Sequence, residues 1–317
     1  MNKGENNMAE EKLLKDISRY KNYNWSLYFF KKDKRNKEQP FTATKIRYKK
    51  ASAFNEYIGK LIQSTTTLQL STIQSFEEYN GMNPKISCDK LSTNSPLISD
   101  LWSKLVNSIS MASNEKLKGK ICGYAICGEP TIEELKPITI LKYSSPIISL
   151  NNKYAITYKE SPEEELDLVT DSFYRLYWIA DSIIYEDTFY TFNNNFESVF
   201  DIEKAVQKVK DKAIESIINT NAIENIDMFK DLSGSYKSPK SFITLNEERL
   251  ANIRDLSQRK DISQTYKLPL SSNDKFLTTN SEEYKAFIQY ICFKSICEHK
   301  TMNVYEINSA TKIEKDD

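Results

Sequence analysis

Histidine is almost missing from this 317-residue chain, which carries only His299. Mechanisms that require two imidazoles, among them most catalytic zinc sites and the two-histidine phosphodiesterases, are therefore excluded. The structural reading of His299 is a cation near a helix C-terminus. Glycine is scarce as well. The seven are Gly4, Gly59, Gly81, Gly119, Gly123, Gly128 and Gly234, and no pair forms G-x-G-x-x-G or G-x-x-x-x-G-K-[ST]. A dinucleotide fingerprint and a P-loop are both lacking, as is the G-x-S-x-G nucleophile elbow. No run of about 18 apolar residues occurs, so a membrane span is not expected. The opening MNKGENNMAEEK has no apolar signal core, and the expectation is a cytoplasmic protein.

Cysteine is present but uninformative. Cys88, Cys122, Cys127, Cys292 and Cys297 are odd in number in a large chain, which argues for reduced thiols rather than a disulfide framework. Cys122 with Cys127 and Cys292 with Cys297 make two C-x4-C pairs, yet five residues along a helix is about 140° of rotation, and along a strand the two thiols face opposite ways. Buried thiols are expected, and no metal or other cofactor is called for.

What the chain does contain is charge, unevenly placed. The totals balance at 44 basic and 44 acidic residues, but residues 1–160 hold 25 basic and 16 acidic (net +9), and residues 161–317 hold 19 and 28 (net −9). Opposed halves can attract each other or a second copy, and a basic half can meet a polyanion. A composition of 39% hydrophobic, 12% aromatic and 28% charged residues belongs to a packed globular protein.

Periodicity predicts an α+β fold, with a mixed or antiparallel sheet in the N-terminal half and centre and a mostly helical C-terminal half. Leu13, Leu14, Ile17 and Tyr20 share a helical face. NWSLYFFKK and TATKIRY read as neighbouring strands, helices are expected around 50–63 and 97–111, and KICGYAIC, PITILKY and KYAITYK as further strands. The acidic SPEEELD (161–167) marks an expected boundary between a basic region, 1–160, and an acidic region, 161–317, although one continuous domain is equally consistent. FYRLYWIA and SIIYEDTFYTF read as strands, the second folding at Glu186 and Asp187. Ile202, Ala205, Val206, Val209, Ala213, Ile214 and Ile217 trace one apolar helix face. Gly234 is placed to stop a helix, Ser238-Pro239 and Asn246 to start two more, and Thr279 with Glu282 fits a capping box for a helix running to about residue 299, before a closing strand, TMNVYEI.

Three basic groups are candidate phosphate contacts. Residues 31–50, KKDKRNKEQPFTATKIRYKK, hold nine basic and two acidic residues, with Lys31, Lys32, Lys34, Arg35 and Lys37 at a turn and Lys45, Arg47 and Lys49 alternating along a strand. Such a run is most often a solvated face, and taken alone it weighs against nucleic acid. Lys204, Lys208 and Lys212 form a row weakened by Glu203, Asp211 and Glu215, and a solvated face is the better reading. The third group is Lys237, Lys240, Arg249 and Arg254. The aromatics Tyr185, Phe189, Tyr190, Phe192, Phe196 and Phe200 suit a core or an interface better than a base-stacking platform. Glu134 and Lys136, with Asp100 or Glu129, make a faint E-x-K nuclease pattern, although Pro137 interrupts the strand that would display it.

DSIIYEDTFYTFNNNFESVFD (181–201), the helix after it, YKSPKSFITLNEERLANIRD and the closing FIQYICFKSICEHKTMNVYEI together resemble the family of KwaB, the cytoplasmic member of the Kiwa phage-defence pair. Phe196-Glu197 and Phe200 occupy the family's helix-start positions, whereas Asp187-Thr188 stands where Asp-Gly would be usual at the hairpin. The resemblance is best over about residues 170–310. It implies a non-catalytic, DNA-binding, self-associating effector that works with KwaA, an integral membrane partner, and blocks phage replication and late transcription without cutting DNA. Recruitment to the inner face of the membrane by that partner would follow. It carries over no residue list, so the expected nucleic-acid contacts are those drawn from charge: Lys31, Lys32, Lys34, Arg35, Lys45, Arg47, Lys49, Lys237, Lys240 and Arg249. A metal-dependent nuclease and a protein-binding scaffold are the alternatives.

Overall fold

The computed structural model describes residues 3–48, 51–67, 76–79, 88–114, 120–148, 155–158, 166–169, 173–236, 239–292, 295–297 and 304–306. The chain packs as two units, one formed by Met1–Phe76 with Ile86–Phe200, the other by Glu77–Lys85 with Asp201–Asp317. The packing therefore does not divide the chain at residue 160, because the hairpin that follows belongs to the sheet of the first unit.

Seven strands of that sheet are β1 (Tyr23–Lys32), β2 (Phe41–Ile46), β3 (Cys88–Ser92), β4 (Gly123–Pro130), β5 (Ile138–Lys142), β6 (Ser182–Tyr185) and β7 (Thr188–Thr191), side by side in the order β2-β1-β4-β5-β6-β7-β3. Every neighbouring pair is antiparallel. The α+β expectation holds, and the sheet is the antiparallel kind.

Alternation along β1 sends Tyr23, Trp25, Leu27 and Phe29 to one face. There they bury with Leu13 and Ile17 of α1 (Lys3–Ser18) and with Phe54, Ile58, Leu61 and Ile62 of α2 (Ala51–Thr65). The opposite face is aromatic. Phe30 meets Phe41 edge-on, Phe41 meets Phe200, and Phe189 packs against Phe196, Phe200 and Trp102 of α3 (Ser99–Ser110) at centroid distances of 5.6–6.2 Å. Two of the scarce glycines make room for these rings. Gly128 lies opposite Trp25 and Gly123 opposite Phe30, and a Cβ at either would stand 2.6 Å from the facing ring.

The 181–201 segment forms as read. β6 and β7 are joined at Glu186 and Asp187, with Glu186 in the left-handed region (φ 51°), the conformation for which glycine would be the usual choice. The hairpin places Ile183, Tyr185 and Tyr190 on the α1/α2 face and Ile184 and Phe189 on the other. The asparagine turn that follows serves a buried carboxylate. Asp181, 1% exposed, accepts from Lys142 Nζ (2.8 Å) and Asn193 Nδ2 (2.8 Å) at one oxygen and from the Tyr143 amide (2.9 Å) at the other. Asn193 also accepts from the Asn195 amide, which opens α4 (Asn195–Val199).

The second unit is helical: α5 (Ile202–Ile218), α6 (Ile226–Ser235), α7 (Glu247–Arg254), α8 (Leu256–Tyr266) and α9 (Ser281–Ile291), with a 3₁₀ turn at Pro239–Thr244. Its core gathers Ile217, Phe229, Phe242, Ile253, Phe276, Phe287 and Ile288. Asn225, Asn246 and Asn280 each cap a helix through a side-chain oxygen. The α9 cap is thus Asn280, one residue beyond the expected Thr279. Its reciprocal carboxylate is Glu283, which accepts from the Thr279 amide (2.7 Å), and α9 stops at Ile291 rather than near residue 299. FYRLYWIA is strand only at Phe173–Tyr174. KYAITYK and TMNVYEI are strand over Ala155–Tyr158 and Val304–Glu306.

Removing the buried acceptor strands Lys142 and two N–H donors. Asp181→Ala is expected to cost about 3–5 kcal/mol, read as a lowered urea midpoint. A loss below about 1 kcal/mol would show that the clasp contributes little.

Candidate functional site

The basic turn is an ordered loop between the two outermost strands at one side of the sheet. Residues 33–40 join β1 to β2, and the loop closes on itself: the Asp33 amide donates to Pro40 O (2.7 Å), the Arg35 amide to Asp33 Oδ1 (2.9 Å) and the Gln39 amide to Asn36 Oδ1 (3.0 Å). These aspartate and asparagine side chains imitate backbone turns. Lys104 of α3 donates to Lys37 O (3.1 Å), and Gln39 Nε2 to Lys104 O (3.2 Å). The rim of β2 is also met, since Ser113 O accepts from the Lys45 amide (2.9 Å) and from Thr44 Oγ1 (2.9 Å).

On this frame Lys34, Arg35 and Lys37 are exposed, as are Lys45 and Arg47 on and just after β2. Lys45 leans over the Tyr28 ring, 5.8 Å from its centroid. Lys31 is half-buried. Lys32 turns inward, donating to Val199 O (2.6 Å) at the end of α4 and lying 5.9 Å from the Phe41 centroid, a cation at a helix C-terminus rather than a free head group. Lys49 and Lys237 lie outside the described residues. Lys240 is half-buried over Tyr79.

Arg249 departs most from the expectation. It is 7% exposed, donates to Tyr290 O, and lies against the rings of Tyr290 (4.7 Å) and Tyr266 (5.4 Å). Its guanidinium stitches α7 to α9 and cannot reach a phosphate. Arg254 is exposed, as are Lys204, Lys208 and Lys212, a solvated face as read.

The carboxylates of the nuclease pattern do not meet. Glu134 is exposed beside Arg19 (3.7 Å), Asp100 pairs with Lys104 on α3 (3.0 Å), and Glu129 lies at the end of β4. Among the described residues no three His, Cys, Asp or Glu side chains converge. The thiols are held up by burial: Cys122 and Cys127 are pushed to about 11, Cys122 donating to Phe30 O (3.5 Å). A cleft of about 370 Å³ is lined by Tyr20, Lys21, Tyr23, Asn55 and Glu56, none of them an expected site residue.

Unit by unit, the charge contrast between the halves fades. The first unit holds 25 basic and 23 acidic residues (net +2), the second 19 and 21 (net −2). The acidic residues of 161–200 fall in the first unit, so cationic character is local to the β1–β2 loop and its neighbours rather than a property of half the molecule.

The architecture defines a class, an antiparallel sheet with helices on both faces and a basic hairpin at its side, coupled in sequence to a small helical unit. Residues 132–292 match the family described as Kiwa protein KwaB-like. The chain belongs to this family and is a component of a Kiwa anti-phage defence system. No curated protein and no solved structure matches it. The match reaches further toward the N-terminus than the resemblance read at 170–310 and stops before the closing strand. The basic loop lies outside it. Among the described residues no helix is long and apolar enough to cross a membrane.

Two outcomes follow. Arg249→Leu is expected to lower the melting temperature while leaving nucleic-acid affinity of the folded protein within twofold, measured by calorimetry and filter binding. With folded thiols near 11 against an ordinary 9.0, the unfolded chain ionises first on raising pH. Stability is therefore expected to fall as pH rises from about 9 to 11, and denaturant titrations across that interval measure it.

Proposed function

We propose that the protein is a DNA-binding, non-catalytic effector of the Kiwa system that self-associates and acts with a KwaA-like integral membrane partner to block replication and transcription of phage DNA. The observation that carries this reading is the ordered loop at 33–40, which holds Lys34, Arg35 and Lys37 in solvent, with Lys45 and Arg47 exposed on and just after the strand that follows it. Cations on a pinned loop bind phosphate without first paying to order the chain, and each phosphate neutralised releases counterions. Family membership supports the defence role, and the loop supports the polyanion.

Recruitment to the inner membrane face belongs to the same reading. It would come from the partner, with the protein itself remaining in the cytoplasm.

A scaffold that binds only proteins is the second reading, favoured by the near-neutral charge of each unit. The triple variant Lys34→Ala/Arg35→Ala/Lys37→Ala separates the two. In gel shifts at several salt concentrations it should weaken duplex binding at least tenfold and flatten the log–log salt dependence by about 2–3. Unchanged affinity and slope in the variant would remove the loop as the contact. Absence of DNA binding by the parent protein, with partner capture surviving nuclease treatment, would favour the scaffold.

A further inference from the structure

A row of four aromatic rings crosses the surface of the first unit beside α2. Tyr48 stacks on Phe54 (4.2 Å, 26°), Phe54 on Tyr57 (6.0 Å, 26°), and Tyr57 meets Trp178 (5.6 Å, 48°). Phe54 and Tyr57 are one helical turn apart on α2 and form the middle, Phe54 buried and Tyr57 half-buried. The two ends are in solvent, Tyr48 at 40% and Trp178 at 49% exposure.

Neither end is loose. The Tyr48 hydroxyl donates to Trp25 O (2.8 Å), and Tyr57 to Tyr177 O (2.8 Å). The irregular stretch that carries Trp178 is pinned on both sides, the Tyr177 amide donating to Tyr124 Oη (2.9 Å) and the Ala180 amide to Thr65 Oγ1 (3.3 Å). The indole is thus presented to water by a fixed backbone.

Cations surround the row. Lys60 Nζ lies 5.6 Å over the Trp178 ring while bonded to Glu56 (2.7 Å), the Arg175 guanidinium rests 5.5 Å from the Tyr177 ring, and exposed Arg47 immediately precedes Tyr48. A purely apolar partner would leave these charges facing it. A chain of bases on a phosphate backbone would satisfy both the rings and the charges. Bases within a duplex already have both faces stacked, so the chemistry selects an unpaired strand.

We propose that Tyr48 and Trp178 stack unpaired bases of a single-stranded nucleic acid, with Arg47, Lys60 and Arg175 meeting its phosphates. This rests on the nucleic-acid reading above and adds the strand form and a stacking surface outside the 33–40 loop, with Arg47 common to both sets of cations.

The test is a titration with a 12-nucleotide oligothymidine, followed by tryptophan fluorescence and, separately, by filter binding. Trp25 is 6% exposed, and Trp102 packs edge-on against Phe189, so quenching should come mainly from Trp178. Trp178→Ala is expected to lose most of the quench and roughly tenfold or more in oligonucleotide affinity. Trp178→Phe should recover part of that affinity, and duplex affinity should stay unchanged in both. Melting curves of the variants confirm that they fold. Full oligonucleotide affinity in folded Trp178→Ala overturns the proposal, including the case in which that variant instead loses capture of a membrane partner. Duplex binding by the parent protein without oligonucleotide binding overturns it too, and leaves the duplex reading standing. If neither nucleic acid is bound, both readings fall.

Discussion

A carboxylate sealed from water organises the centre of the first unit. A carboxylate at 1% exposure needs hydrogen-bond partners, and those of Asp181 come from three places: the Lys142 ammonium at the end of β5, the Tyr143 amide just after it, and the Asn193 side chain beyond β7. Meeting them fixes the hairpin against β5 and brings the chain out of β7 in the direction that starts α4. From there Phe196 and Phe200 are committed to the aromatic face of the sheet. The run of asparagines is thus explained by acceptor and donor geometry, and the surrounding rings by what that geometry delivers to the core.

Much of this was legible in residue order. Alternation marked the first half of β1, where Tyr23, Trp25, Leu27 and Phe29 are buried in turn, and a helical stripe marked α5 within one residue, because there the period of burial is the period of the backbone. Of the three asparagine caps, that of α7 at Asn246 was read from the sequence, that of α9 was placed one residue early at Thr279, and Asn225 ahead of α6 was missed, although each is a local bond to an amide two or three residues on. What failed was non-local. FYRLYWIA has the composition of a strand, yet its backbone partners are the side chains of Tyr57, Tyr124 and Thr65, far away in sequence. Arg249 looked like surface charge because nothing nearby announces the carbonyl of Tyr290 and the two rings that enclose it.

The charge pattern teaches a related point. A split of +9 and −9 between halves of a sequence is a statement about chain order, and folding sorted the same residues into units of +2 and −2. Electrostatic reach beyond about 8–10 Å is screened at physiological salt, so local clustering matters more than either total. Five exposed cations around one loop and its following strand survive that sorting. Lys32 and Arg249 do not, each having been drawn into the fold by carbonyl oxygens. The family match over 132–292 covers neither the loop nor Tyr48, so the chemistry argued for these positions stands on their own geometry.

Lys104 has a further consequence. Its ammonium joins the Lys37 carbonyl of the loop to the Asp100 carboxylate of its own helix, so one cation ties the loop to α3. Replacing that aspartate by asparagine would leave the Lys37 carbonyl as the ammonium's remaining anchor and one positive charge less compensated at the loop's rim.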